Sequence, residues 1–109
     1  MDQTANLRAD PALALLRRKL NAIYGSRLDS VVLFGSRARG GARPDSDYDV
    51  AVFLRGLHDP RLEADRMADI GWEILRDLGL VVSAKAFPAE DRQRETLILE
   101  TIRNEGVPV

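Results

Sequence analysis

The chain has 109 residues, 16 of them basic and 17 acidic, with no cysteine and a 45% apolar share. That length supports one domain, residues 1–109, with a single modest core. Lack of cysteine excludes disulfides and thiolate metal sites, and near-balanced charge argues against direct nucleic-acid binding. No run approaches the roughly 18 apolar residues of a membrane span. The first stretch, "MDQTANLRADPALALL", lacks the basic start and apolar core of a secretory signal, so a cytoplasmic setting is expected.

Along the chain, Asp10-Pro11 reads as a helix start, and Leu13, Leu16, Leu20 and Ile23 or Tyr24 recur at helical spacing up to Gly25. "SVVLF" (30–34) reads as a buried strand, "GSRARGG" as a turn with room for one helical turn, and "ARPDS" as loop. Asp47 to Leu54 is the second strand. A second helix starts at Asp59-Pro60, turns Met67, Ile70, Ile74, Leu75 and Leu78 inward, and stops at Gly79. "LVVSAKAF" (80–87) is a third strand, closed by Pro88, and a last helix is expected from about Glu90 to Asn104. The order α-β-β-α-β-α implies an α/β (α+β) fold: a small mixed sheet of three or more strands with helices mainly on one face.

The chemistry concentrates between residues 35 and 49. Side chains alternate along a strand, so Asp47, Asp49, Ala51 and Phe53 share one face, while Tyr48, Val50, Val52 and Leu54 form the core face. Two adjacent carboxylates repel unless a cation sits between them. Mg²⁺ favours one or two carboxylates together with phosphate oxygens and water. Gly35 lets the backbone approach a ligand closely, and the N–H groups of such a turn, with the Ser36 hydroxyl, can cradle phosphate. Arg37 and Arg39 can add planar guanidinium donors. Ten residues separate Ser36 from Asp47, which lets the chain cross between neighbouring strands so that cradle and carboxylates face one hollow.

Other polar and aromatic residues read more plainly. His58 suits a surface or capping role, Trp72 the edge of the core, and Tyr48 the core rather than a base-stacking position. Lys85 lies inside an apolar strand, where it meets an anion or, as the simpler reading has it, solvent. Leu97, Ile98 and Leu99 in succession exceed what one buried stripe absorbs, so part of that surface suits contact with a second chain, a copy of itself or another protein.

Gly35-Ser36, ten residues, then Asp47-Tyr48-Asp49 resembles the signature of the nucleotidyltransferase superfamily that includes DNA polymerase beta and kanamycin nucleotidyltransferase. The longer string "LFGSRARGGARPDSDYDVAVFL" resembles more closely the minimal nucleotidyltransferases of bacteria and archaea, whose short chains pair with a helical HEPN protein. The resemblance implies a nucleotidyltransferase core in which Asp47 and Asp49 hold Mg²⁺ as the catalytic carboxylates. It implies that Gly35 and Ser36 bind the triphosphate of ATP, assisted by Arg37 or Arg39. An acceptor hydroxyl would attack the α-phosphate and release pyrophosphate. In HEPN-paired systems it implies an antitoxin that attaches AMP to a toxin tyrosine (AMPylation).

One departure stands out. The superfamily often supplies a third carboxylate from the next core strand, where this chain has Ser83 and Lys85. Two carboxylates suffice, or Glu90 or Asp91 reaches in, or catalysis is impaired and the chain neutralises its partner by binding alone. Larger relatives also carry a helical domain that grips the acceptor. This chain has no counterpart, so a partner is expected to present it.

Overall fold

The computed structural model describes residues 9–40, 43 and 46–109. Part of the segment between Ser36 and Asp47 (41, 42, 44 and 45) therefore lies outside the described residues, as does the chain before Ala9.

Helix α1, Pro11–Tyr24, begins where Asp10 accepts hydrogen bonds from the N–H groups of Ala12 (2.8 Å) and Leu13 (3.3 Å). It buries Ala12, Leu13, Leu16, Leu20 and Tyr24, leaving Ile23 exposed. A 3₁₀ turn, Gly25–Arg27, leads into β1, Leu28–Phe34. A four-residue helix, α2 (Ser36–Arg39), follows at once, and β2 covers Tyr48–Leu54. Helix α3, Pro60–Leu78, is capped by the Asp59 carboxylate on the Leu62 N–H at 3.1 Å and stops at left-handed Gly79. Strand β3 spans Val82–Pro88, helix α4 Leu97–Glu105 and β4 Val107–Pro108.

The sheet order is β3-β2-β1-β4, with β1 antiparallel to β2 and β4, and β3 parallel to β2. Helix α3 is the crossover that a parallel β2–β3 pair requires. Alternation along β2 sends Tyr48, Val50, Val52 and Leu54 towards α1 and α3. Ala51 and Phe53 point to the opposite face, where Leu99 and Ile102 of α4 cover them and Phe87 stacks on Phe53 at 5.6 Å. Among the described residues, α1 and α3 thus cover one face, with Ala38 of α2 in the same cluster, and the short α4 covers the other. In β2 only Asp49 escapes full burial. No described helix is long and apolar enough to cross a membrane.

Several expectations need correction. The last helix begins at Leu97, not near Glu90: residues 89–93 form a 3₁₀ turn, and Thr96 caps α4 on the Leu99 N–H. Strand β4 is a fourth strand, within the three or more expected but not placed along the chain by the sequence pattern. Leu75 and Leu78 are exposed, and Trp72 is 63% exposed rather than packed at the core edge. Among the described residues the sheet ends at β3, and no further strand covers that flank of α3.

Candidate active site

The register of β1 and β2 sets Phe34 opposite Asp49, which brings the end of one strand and the start of the other together. Gly35 follows with φ 76°, a conformation that side chains disfavour. A Cβ there would collide with the Asp49 carboxylate. Only glycine lets backbone and carboxylate come this close. Ser36 then opens α2, with the Ala38 and Arg39 N–H groups bonded back to the Gly35 carbonyl at 3.1 and 3.2 Å.

Asp47 is exposed and Asp49 half-buried. Burial pushes the Asp49 carboxyl up from its ordinary value, and repulsion from Asp47 pushes it further, while Lys85 and Arg39 pull it down. Each of the two leading causes penalises negative charge, and a bound cation would relieve both. The donor set fits Mg²⁺ arriving with a phosphate chain, which needs only one or two carboxylates from the protein. It does not make a full protein cage: no cluster of three or more acid, histidine or cysteine side chains able to hold a metal occurs among the described residues.

Parallel pairing sets Ser83 beside Asp49 and Lys85 beside Ala51. Lys85 is solvent-exposed on the same face as Asp49, near enough for its charge to act on that carboxyl. Glu90 and Asp91 sit on the 3₁₀ turn after β3, where Asp91 pairs with Arg94 at 3.6 Å.

The arginines divide. Arg37 lies with its guanidinium 3.8 Å above the Tyr48 ring, and its Nε donates to the Ser46 carbonyl at 2.8 Å. The Tyr48 hydroxyl donates to Asp10 at 2.6 Å, and burial together with that carboxylate pushes its pKa up to about 12. Tyr48 is therefore a buried link between the α1 cap and the start of β2, with Asp47 before it and Asp49 after it. Arg39 is more than half exposed and pairs with Glu105, whose carboxylate also accepts the Gly35 N–H. Glu105 was not singled out in the sequence, where it is one isolated acid before Gly106.

A groove of about 480 Å³ runs from Asp47 between α3 and β3, lined by Met67, Gly71, Trp72, Leu75 and Val81. Another hollow, about 530 Å³, lies at the far end of the sheet around Arg27, Arg55 and His58. Its buried acid is already satisfied. Glu63 accepts from Tyr24, Arg27 and Arg66 at 3.3, 3.1 and 2.8 Å. The carboxylates and the glycine turn make the Asp47 end the candidate site.

The family model for the nucleotidyltransferase domain matches residues 13–107, from α1 to β4. The chain belongs to the nucleotidyltransferase family. Solved structures agree on the fold. This nucleotidyltransferase is similar to a chain of a toxin–antitoxin crystallised with AMP-PNP, with 18% identity, 87% of this chain and 69% of that chain covered, and a TM-score of 0.64. It is similar to a chain of the complex of tri-AMPylated Shewanella oneidensis HEPN toxin with MNT antitoxin, with 18% identity, 98% and 71% covered, and a TM-score of 0.56. A chain named as a minimal nucleotidyltransferase is 27% identical over 100% of this chain and 97% of its own, with a TM-score of 0.56. A search of curated protein sequences finds no significant match. In this nucleotidyltransferase the matched region holds Gly35, Ser36, Arg37, Arg39, Asp47 and Asp49 together.

Proposed function

We propose that the chain is a Mg²⁺-dependent nucleotidyltransferase that transfers AMP from ATP to a hydroxyl of a partner protein, a tyrosine of a HEPN toxin, and so acts as its antitoxin. The observation that carries this reading is the contact of Gly35 with the Asp49 carboxylate, with Asp47 alongside. Backbone that closely apposed to a carboxylate pair is suited to hold a phosphate chain and its cation together. Asp47 and Asp49 would hold Mg²⁺, which when bound supplies positive charge to the phosphate oxygens. The Gly35-Ser36 turn would orient the triphosphate, and Arg39, exposed and beside the turn, would add a guanidinium to it. Arg37 acts from beneath by bracing Ser46 and Tyr48. The acceptor oxygen bonds to the α-phosphorus as the bond to the bridging oxygen breaks. Pyrophosphate leaves, and the hydroxyl proton passes to solvent. Positioning and charge neutralisation do most of the work in such a transfer.

The partner reading draws on solved relatives that are toxin–antitoxin complexes, one carrying an AMPylated HEPN toxin. Incubation with labelled ATP, Mg²⁺ and the product of the neighbouring gene is expected to label that product. Asp47→Asn combined with Asp49→Asn is expected to abolish labelling, and labelling that persists in the double variant rejects the assignment.

A second reading has its own observation, since Ser83 and Lys85 occupy the flank of β3 that faces Asp49. A nucleotide-binding module of weak activity would neutralise its partner by complex formation. On that reading the double variant binds and protects as well as the original chain.

A further inference from the structure

Gly35 is gripped from two directions. Its Cα lies against the Asp49 carboxylate, while its N–H donates to Glu105 Oε1 at 3.1 Å. Arg39 Nη1 meets both oxygens of the same Glu105 carboxylate, each at 3.2 Å. An anion held by a backbone N–H of the glycine turn and by the guanidinium four residues on makes the contacts that a phosphate oxygen would seek there. Glu105 itself is well fixed. It is the last residue of α4, and Gly106 behind it packs against the Ile102 carbonyl and Val32, where β4 joins β1. Arg39 is the more exposed member, with 57% of its side chain open to solvent against 24% for Glu105.

We propose that Glu105 is a positioning residue of the triphosphate site: it fixes the Gly35 turn through the backbone and holds Arg39 as a stand-in anion until a triphosphate takes the guanidinium over. The inference rests on the triphosphate reading given under Proposed function. Arg39 is placed for the exchange, because its charge already acts on Asp49 as well as on Glu105. An exposed ion pair of this kind is weak, so giving it up costs nucleotide affinity only about threefold. The backbone contact from Gly35 persists through the exchange.

Calorimetry with Mg²⁺ and the non-transferable analogue α,β-methylene-ATP separates the two roles. Glu105→Gln keeps an oxygen for the Gly35 N–H but loses the charge on Arg39, and is expected to bind the analogue about threefold more tightly than the original chain. Arg39→Ala is expected to bind more weakly, and adding Glu105→Gln to it is expected to give no gain. A purely structural Glu105 would not make the gain depend on Arg39. In the unaltered protein, the Arg39 Nε–H resonance is expected to shift on analogue binding while the bond from the Gly35 amide to Glu105 stays protected from exchange. If the unaltered chain does not bind the analogue, both readings fall. If it binds but Glu105→Gln binds equally or more weakly, or the Arg39 resonance stays put, only the role of Glu105 is overturned.

Discussion

On the proposed reading, function and stability pull apart at Asp49. Burial and the neighbouring Asp47 raise its pKa above the ordinary 3.8, so the folded chain holds that proton more tightly than the unfolded chain does. Stability must then fall as pH rises from the ordinary value through the raised one, and at neutral pH the whole deficit is present. Asn carries no such charge. Asp49→Asn is expected to stabilise the metal-free protein at pH 7 by about 0.5 kcal/mol or more, a typical gain when a functional strain is removed. Thermal melts in a chelator check this, and the gap between the two proteins is expected to narrow as pH falls through the raised value and to close below 3.8. Mg²⁺ and nucleotide together should reverse the order, because only the original chain gains from ligand. A variant that melts below the original at neutral pH in chelator would show that Asp49 is held by protein cations instead.

At the scale of elements, the sequence was legible wherever a local rule decided the outcome. Asp10-Pro11, Asp59-Pro60 and Gly79 mark their helix ends through chemistry within a few residues. The alternation in β2 assigned both faces and placed Asp49 beside the turn. Glu105 and Glu63 were invisible, because an acid on a helix reads as a solvated residue until the fold brings Arg39 or Arg27 to it. Strand β4 has two residues, too few for any periodicity, and its place against β1 depends on Gly106. A methyl group at that position would run into the Ile102 carbonyl oxygen and a Val32 methyl. The turn from α4 into β4 must therefore open, or β1 must move. Gly106→Ala is expected to cost about 1–3 kcal/mol, the usual penalty for overpacking. Urea unfolding measures it, and an unchanged midpoint would show that α4 and β1 can part without loss.

Over the whole molecule, sheet order decides what surrounds the candidate site. Strand β3 is at the edge, so Trp72, Leu75 and Val81 line a groove that no strand among the described residues closes, and the sequence could not reveal which flank of an amphipathic helix would be left open there. The same edge strand runs parallel to β2 in a register that sets Ser83 beside Asp49 on one face. A carboxylate introduced there would complete a set of three with Asp47 and Asp49. Ser83→Asp is expected to raise affinity for Mn²⁺ alone by about tenfold, because hard cations bind more tightly as carboxylate ligands are added. Without metal the same change adds a like charge to a pair that already repels, and should destabilise by about 0.2–1 kcal/mol, the range of a neighbouring-strand charge pair. Metal titration followed by electron paramagnetic resonance, paired with melts in chelator, reads both effects. Opposite signs with and without Mn²⁺ are the expected signature. If Ser83→Asp leaves metal affinity unchanged, a side chain at this place in the sheet does not face the cation, and the pairing of β3 with the site has no bearing on how many carboxylates the reaction uses.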